Sequence, residues 1–334
     1  MTEADDGSAP ALVPDDEAGT PANPFAAKSL AAAKAYAAQS LAPETRRAYA
    51  ADWRDWAGWC RQAGAVPLPA DPAAVAAYLA SLAPHYSRAA LDRRLAAIGH
   101  AHRLAQLEWS AGHPALRATL RGIRRQHGSA RRQAAALTSA ELRKLVATCG
   151  GDMTGLRDRA LLLLGFAGAL RRSELVAVER EHLRFTSEGL RLHLPTSKTD
   201  QEGRGAELGI TRGRRRETCP VQALETWLTA SACAFGPVFR KVDRWGHIDH
   251  RPLGADAVRA ILRRRAGQAG LRVEAGERLS PHGLRAGFVT EAYIAGARDE
   301  QVMAHTRHRD LKTMRGYVRR SRLVTESPTK LVVL

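Results

Sequence analysis

The chain has 334 residues, enough for two domains that each bury a core of their own. Its 51 lysines and arginines outnumber its 34 aspartates and glutamates, and the formal net charge of +17 favours a polyanionic partner over a surface that is basic only for solubility. The acidic N-terminus does not match a secretory signal, and the longest apolar run, Ala160–Leu170, is too short to cross a bilayer, so we expect a cytoplasmic protein.

Residues 1–27 form an acidic segment with six aspartates and glutamates and no lysine or arginine. The segment is rich in alanine, proline and glycine and lacks hydrophobic periodicity, which predicts a disordered tail. The basic residues are concentrated in the rest of the chain, where contacts with DNA are expected to weaken steeply with salt.

Residues 28–127 are predicted to form a helical DNA-binding domain. Tyr49, Trp53, Trp56 and Cys60 are separated by four, three and four residues, which places them on one helix face. An aromatic stripe at this spacing is more typical of a core than of a platform for stacking bases, and we interpret it as core. Helix starts are indicated at Pro43, Asp71-Pro72, Ser87 and Pro114.

Arginines recur along these helices and into the segment that follows them. A charged run is commonly just a solvated face, but in a chain this basic we favour contacts with DNA phosphates. Residues 128–137 are predicted to be a linker that lies along DNA. The arginines assigned to DNA are Arg88, Arg93, Arg94, Arg117, Arg121, Arg124, Arg125, Arg131 and Arg132.

The cysteines are scattered along the chain and contain no CxxC pair. This pattern is typical of small buried side chains in a reducing compartment and argues against a zinc site. They are Cys60, Cys149, Cys219 and Cys233.

Residues 138–334 are predicted to form the second domain. Thr138 and Glu141 have the spacing of a capping box at a helix start. A further helix is expected from Thr154, and because the run Ala160–Leu170 is apolar almost all round, this helix should be central to the domain.

A short helix is expected directly after this central helix. Ser173 can cap it, which would leave Arg171 at a junction between two helices. Because adjacent side chains diverge on a helix, only one of Arg171 and Arg172 should point into a site.

An alternating pattern predicts a pair of strands in the middle of this domain. Leu190–Leu194 and Gly205–Ile210 are the two strands, and Lys198 lies between them at the tip of a hairpin. Helices are expected next at Val221–Ala230 and Asp256–Ala266.

The stretch Leu279–Val318 carries the residues with the clearest chemistry. His282 and Arg285 are three apart, so they project from one face of a helix that starts near Ser280 and Pro281. His308 follows, and Tyr317 lies nine residues after it, a spacing that lets both rings reach one pocket.

Such a pocket suits tyrosine attack on a phosphodiester. A phenol has an ordinary pKa of about 10 and is a poor nucleophile at neutral pH unless cations surround it. Arginine donates two parallel hydrogen bonds to phosphate oxygens and would stabilise the extra charge of a five-coordinate phosphorus.

Taken in order, these motifs resemble the signature of the tyrosine recombinase (phage integrase) family. The resemblance covers about residues 28–334 and is strongest from Thr138 onward. It implies a mainly α (α+β) fold, with a helical N-terminal core-binding domain and a mainly helical catalytic domain with a small antiparallel sheet, closing as a C-shaped clamp around DNA. The matching residues are Arg171 in ALRRSEL, Lys198 in TSKTD, His282 and Arg285 in HGLR, and His308 and Tyr317.

The resemblance implies a site-specific DNA recombinase or integrase. Tyr317 would attack the scissile phosphate, forming a 3′-phosphotyrosine and releasing a 5′-hydroxyl. Arg171, Arg285 and His308 would hold that phosphate, and Glu174 would support the pocket.

The remaining implied roles concern protons and partners. Lys198 would be the general acid toward the leaving 5′-oxygen, and His282 would assist proton transfer. Because a phosphotyrosine conserves the bond energy, the resemblance implies no metal, ATP or other cofactor. Four protomers would join two double-stranded DNA sites, and the protein would be associated with the bacterial nucleoid or encoded by a mobile element.

The apolar tail, Pro328–Leu334, ends in Leu-Val-Val-Leu and is expected to dock either on its own domain or on a neighbouring subunit. The second option predicts tail exchange within a homo-oligomer.

The sequence departs from the family pattern at one point. Arg307 stands where the family commonly has glycine before its second histidine. His305 is a rival to His308, but its spacing to Tyr317 is twelve rather than nine, so we prefer His308. Two other functions stay open, a type IB topoisomerase-like enzyme and a non-catalytic DNA-binding protein that retains the fold.

Overall fold

The computed structural model describes residues 24–128, 133–195, 205–308, 310–311 and 314–316. The chain divides into two compact units, residues 1–130 and residues 131–334. Both are mainly helical, and the second also contains small sheets, which confirms the expected fold class. No helix in the described ranges is both long and apolar enough to span a membrane.

The first unit is a group of helices whose starts follow local sequence signals. Proline occupies the first turn of four of them, and the side chains of Asp71 and Ser87 accept hydrogen bonds from main-chain nitrogens at the starts of two. The described helices of this unit are α1 (Pro24–Gln39), α2 (Pro43–Ala63), α3 (Pro72–Leu82), α4 (Arg88–Leu104) and α5 (Pro114–His127).

Three of the four residues of the predicted stripe on α2 lie in the core of this unit, whereas Tyr49 is only half-buried and packs against His100. Trp56 is fully buried and packs against Trp59 and Tyr78, while its indole nitrogen donates a hydrogen bond to the carbonyl of Pro67. Trp53 and Cys60 are also buried. The buried rings of Trp53, Trp56 and Tyr78 stabilise the helix group and are closed to stacking with bases.

The second unit combines helices with three small sheets. β2, β3 and β4 form an antiparallel sheet, β5 and β6 form an antiparallel pair, and β1 and β7 pair in parallel. The strands are β1 (Gln133–Ala134), β2 (Leu183–Phe185), β3 (Gly189–Leu194), β4 (Ala206–Thr211), β5 (Arg240–Val242), β6 (Ile248–Pro252) and β7 (Glu277–Arg278). The helices are α6 (Ser139–Ala147), α7 (Met153–Ala167), α8 (Arg172–Val176), α9 (Pro220–Ala230), α10 (Ala255–Gln268), α11 (His282–Ile294) and α12 (Asp299–Thr306).

Helix α7 is the centre of the second unit, which confirms the prediction from its apolar run. Residues 160–164 are all buried, and the helix packs against α9, α6 and α11. Its start differs from the expected Thr154, because the side chain of Asp152 accepts a hydrogen bond from the Gly155 nitrogen and caps a helix that begins at Met153. All four cysteines are buried with free thiols, as expected.

The segment that enters the second unit packs closely on α11. The Leu137 nitrogen donates to the Gly283 carbonyl at 2.9 Å, and a Cβ on Gly287 would lie 1.8 Å from the Leu137 carbonyl oxygen. Glycine inside a helix lowers its stability by about 1 kcal/mol relative to alanine. The glycines of α11 therefore reduce the intrinsic stability of the helix but allow residues 135–137 to pack against its backbone. Residues 133–137, assigned to a linker from the sequence, are therefore built into the second unit.

Helix α11 begins at His282, slightly later than the sequence suggested. Ser280 was expected to cap it, but within the described part of the chain its buried hydroxyl has no hydrogen-bond partner. Its carbonyl instead accepts from the Gly283 nitrogen. The packing of 135–137, rather than a capping side chain, fixes this end of the helix.

Candidate active site

Glu174 anchors the first side of the site. The main-chain nitrogen of Arg171 donates to one Glu174 carboxylate oxygen at 2.9 Å, and Nη1 of Arg171 donates to the other at 2.5 Å. Burial raises the cost of ionising this carboxyl, but attraction to Arg307 and the hydrogen bonds from Arg171 outweigh it, so the pKa of Glu174 lies below its ordinary value. Glu174 thus caps α8, a role that the sequence assigned to Ser173.

Arg171 and Arg172 point in different directions. Arg172 is exposed and pairs with Asp256 on α10 at 2.7 Å, away from Glu174. Arg171 is largely covered and faces Glu174. Only one arginine of this pair therefore belongs to the pocket, as the geometry of adjacent side chains requires.

Arg285 lies at the back of the pocket and is 1% exposed. Its Nη1 donates to the Ala169 carbonyl at 2.7 Å, and its Nη2 donates to the Thr306 carbonyl. Ala169 follows the end of α7, and Thr306 ends α12. The guanidinium therefore joins three helices at their ends, and its orientation depends on all of them.

His308 faces these arginines from the turn after α12. Thr306 donates its hydroxyl proton to the Val302 carbonyl at 2.6 Å, and its oxygen lies 2.6 Å from Nδ1 of His308. Since that hydroxyl proton is already used, Nδ1 of His308 carries a proton and donates it to Thr306. The neutral imidazole then presents an unprotonated Nε2.

Burial and nearby cations hold the pKa of His308 well below its ordinary value. Burial lowers it first, and the positive charges of Arg285, Arg171, His282 and Arg307 lower it further, to about 3. His282 is exposed at the start of α11. The structure thus brings Arg171, Glu174, His282, Arg285 and His308 into one site.

Two predicted site residues, Lys198 and Tyr317, lie outside the described residues. β3 and β4 form the expected hairpin, with Leu194 opposite Ala206, and Lys198 belongs to the connection between them. Met314, three residues before Tyr317, is fully buried in a cluster with Val289 and Val302.

His305 has a different environment from His308. Its Nε2 lies 2.7 Å from the Ala167 carbonyl, and its ring stacks on Phe288 with centroids 4.6 Å apart. Burial lowers the pKa of His305 despite the hydrogen bond to Ala167. These contacts use the ring to pack α12 against α7 and α11, so the geometry favours His308 for the pocket.

Sequence reasoning did not assign a role to Arg307. Its side chain is 10% exposed, with Nη2 donating to Glu174 at 2.9 Å and Nη1 donating to the His305 carbonyl at 2.9 Å. The substitution for glycine was the only signal in the sequence, and by itself it pointed to the backbone turn rather than to the side chain.

The arginines assigned to DNA have different environments. Arg93 and Arg94 bind Asp52 and Asp55, and Arg94 is 6% exposed with its guanidinium over the Tyr86 ring. Arg88 pairs with Asp92, and Arg131 and Arg132 lie outside the described residues. Arg117, Arg121, Arg124 and Arg125 are exposed on α5.

Within the described ranges, no group of three or more His, Cys, Asp or Glu side chains could hold a metal ion. The pocket's charged groups are mainly guanidinium and imidazole, a composition suited to an anion.

The chain is similar in sequence to known recombinases. Residues 135–322 match the phage integrase family. Over 296 residues the chain is 34% identical to an integrase/recombinase XerD homolog of Selenomonas ruminantium, covering 86% of this chain and 85% of that protein. It is 28% identical over 299 residues to a tyrosine recombinase of Synechococcus elongatus, covering 82% and 84%.

Solved structures share the fold at low identity. One is the XerH site-specific recombinase bound to a palindromic difH substrate, with a TM-score of 0.62, 15% identity, and coverage of 85% of this chain and 79% of that one. Another is a lambda integrase dimer bound to a COC′ core site, with a TM-score of 0.57, 17% identity, and coverage of 87% and 93%.

Proposed function

The chain belongs to the phage integrase family and is a tyrosine-type site-specific DNA recombinase, and from that premise we propose that it cuts and rejoins DNA through a 3′-phosphotyrosyl intermediate at Tyr317. The observation that carries this proposal is a set of contacts that gathers distant residues around His308: Arg285 binds the Thr306 carbonyl while the Thr306 hydroxyl contacts His308, and Glu174 links Arg171 to Arg307 beside it. Together they form a site for one phosphate.

The phosphate would lie between the two guanidinium groups. Arg171 is positioned by Glu174, and Arg285 by the carbonyls that end α7 and α12, so neither needs to reorganise when charge develops on phosphorus. A neutral His308 gains a proton more easily once an anion offsets the nearby cations, and its Nε2 can then donate to a phosphate oxygen.

Tyr317 is joined to the pocket by a short stretch of chain. Met314 packs against Val289 of α11 and Val302 of α12. Val289 lies four residues after Arg285, and Val302 lies four residues before Thr306. Three residues of extended chain span at most about 11 Å between Cα atoms, which is compatible with the proposed attack by Tyr317.

Lys198 would protonate the leaving 5′-oxygen and His282 would assist, as proposed from the family resemblance. His282 already lies within electrostatic reach of His308. The phosphotyrosine conserves bond energy, so no cofactor enters this scheme.

The experiment that tests this proposal selects for covalent chemistry. A pool of nicked duplexes with random central sequence is incubated with the protein, denatured in detergent, and the DNA that stays attached is recovered and sequenced. We expect an adduct that is lost in Tyr317→Phe. Tyr293→Phe is the matched control, because Tyr293 donates to Asp299 and burial with that hydrogen bond raises its pKa to about 12, the opposite of an activated nucleophile.

The other outcomes distinguish the remaining functions. An adduct that survives Tyr317→Phe would refute the assigned nucleophile. Salt-sensitive binding with no adduct under any condition would indicate a non-catalytic DNA-binding protein. Relaxation of supercoiled DNA without sequence preference would indicate a topoisomerase-like enzyme.

We also propose that helix α5 contacts the DNA backbone. Arg117, Arg121 and Arg124 recur at steps of four and three along one exposed face, next to the buried face that carries Leu116 and Leu120. The helix contains no acidic residue to neutralise them. The similar XerH and lambda integrase structures are bound to DNA.

A tetramer that exchanges its C-terminal tails is the assembly we propose on paired DNA sites, in the cytoplasm. A groove of about 390 Å³ whose lining includes Leu142, Leu163, Phe166 and Phe288 has the apolar character to receive the tail. Deleting Leu331–Leu334 should shift the sedimentation of the protein–DNA complex to smaller species. An unchanged assembly would contradict tail exchange.

A further inference from the structure

The turn between α12 and His308 has an unusual backbone. Arg307 caps the helix in the left-handed region, with φ 57° and ψ 42°. This conformation costs a non-glycine residue about 1 kcal/mol or more, and glycine adopts it freely. Such strain persists where the surrounding contacts hold it in place, so the side chain of Arg307 is the feature to explain.

The Arg307 side chain is bound at two points inside the site. Nη2 donates to Glu174, and Nη1 donates to the carbonyl of His305, one turn from the pocket histidine. Within the described part of the chain its buried Nε has no hydrogen-bond partner. Burial lowers the pKa of Arg307, and attraction to Glu174 opposes that loss.

Glu174 is therefore shared between two guanidinium groups. One carboxylate oxygen accepts a hydrogen bond from Nη1 of Arg171. The other accepts hydrogen bonds from Nη2 of Arg307 and from the main-chain nitrogen of Arg171. With Arg171 alone, the pair would be neutral and would attract a phosphate weakly. With Arg307 added, the three side chains keep a net positive charge in a poorly solvated place, where Coulomb forces are strong.

We propose that Arg307 is a positioning residue for strand cleavage: it holds Glu174 and offsets its charge, so that Arg171 keeps its orientation and its attraction for the scissile phosphate. The proposal rests on the function proposed above. It assigns Arg307 no contact with DNA, since both terminal nitrogens are bound within the protein.

Replacing Arg307 with glycine separates function from folding. Arg307→Gly relieves the backbone strain but removes one of the two arginines that bind the buried Glu174, so the two effects oppose each other and the melting temperature should stay close to the wild-type value. The rate of adduct formation on a duplex recovered from the covalent selection should nevertheless fall about 10- to 100-fold, because Arg171 loses its fixed geometry. Arg307→Lys, which restores a charge near Glu174, should be faster than Arg307→Gly.

A second background tests whether the effect passes through Glu174. In Glu174→Gln protein, which is slower itself, adding Arg307→Gly should cost less than about threefold, because no carboxylate charge remains to be offset. Arg298→Ala, at the exposed opposite end of α12, is the matched control and should leave the rate unchanged.

Each result has a defined meaning. Wild-type cleavage rates in Arg307→Gly, or an equal loss in both backgrounds, would overturn the role of Arg307. An adduct that fails to form with wild-type protein, or that survives Tyr317→Phe, would overturn the proposed function instead.

Discussion

Arginine serves opposite purposes in helix α5 and in the pocket of the second unit. On α5 the guanidinium groups are exposed along one face, and each can meet a phosphate independently. In the pocket Arg171, Arg285 and Arg307 are held by Glu174 and by main-chain carbonyls. Exposed cations should add affinity in separate small steps, whereas held cations should act as one unit.

Helix α4 gives a third arrangement that clarifies the other two. Arg94 is buried like a pocket arginine, but it contacts both Asp52 and Asp55 and lies over Tyr86. Arg93 binds Asp52 as well. Here two carboxylates neutralise two arginines, so these ion pairs stabilise the fold and leave little net charge to attract a phosphate. The exposed arginines of α5 are therefore better candidates for phosphate binding in this unit.

The largest expected effect is the loss of cleavage activity when an arginine of the pocket is removed. Arg171→Ala should lower the rate of adduct formation about 1000-fold, because the transition state loses a fixed cation, while Arg172→Ala should keep most of the activity. Single-turnover cleavage of the selected duplex measures both. Equal loss from the two variants would contradict the orientation of their side chains.

The next effect concerns stability in the first unit. Arg94→Ala should lower the free energy of unfolding by about 2–3 kcal/mol, because it leaves Asp52 and Asp55 with fewer buried partners. Arg117→Ala should change it by less than about 0.5 kcal/mol, as is usual for an exposed side chain. Urea denaturation of the two proteins tests the difference, and similar losses would show that burial does not separate these arginines.

A pH effect should follow from His308. Its folded pKa of about 3 lies below the ordinary 6.5, so only the unfolded chain takes up this proton as pH falls between those values. The contribution of His308 to stability is complete above pH 6.5 and should decline by about 1.4 kcal/mol per pH unit below it. His308→Gln should reduce that slope, measured by denaturation at several pH values.

Arg121→Ala is the control for this pH experiment, because arginine stays charged over the whole range. An unaltered slope in His308→Gln would mean that the imidazole is not held neutral by its cationic neighbours.

The smallest effects belong to α5. Each of Arg117→Ala, Arg121→Ala and Arg124→Ala should weaken DNA binding a few-fold, with the logarithmic salt dependence reduced by about one ion per residue. Gln126→Ala, exposed on the same helix, is the uncharged control. Fluorescence anisotropy over a salt series gives both numbers, and a strongly non-additive loss in the triple variant would contradict independent contacts.

The sequence predicted the features that depend on neighbouring residues. Helices α2 to α5 start where proline, Asp71 and Ser87 indicated, because capping involves residues only a few positions apart. The central position of α7 was predictable from its long apolar run. The β3–β4 hairpin was predictable because it pairs two strands that are consecutive in the chain.

The features that sequence reasoning missed depend on distant residues. Arg93 and Asp52 are 41 positions apart, and Arg307 and Glu174 are 133 positions apart. The parallel pairing of Gln133 with Glu277 involves strands of two residues, too short to show alternation. Ser173 and Ser280 were expected to cap α8 and α11 because of their residue type. Instead, Glu174 caps α8, and the packing of Leu137 fixes the start of α11.

The close fit of Leu137 against Gly283 and Gly287 limits how hybrid enzymes can be built. A hybrid that takes its first unit from another recombinase needs its fusion joint upstream of Gln133, since the following residues complete the surface on which α11 packs. A joint placed a few residues later would change the support of Arg285 together with the choice of target, and loss of activity could then be mistaken for failure to recognise DNA.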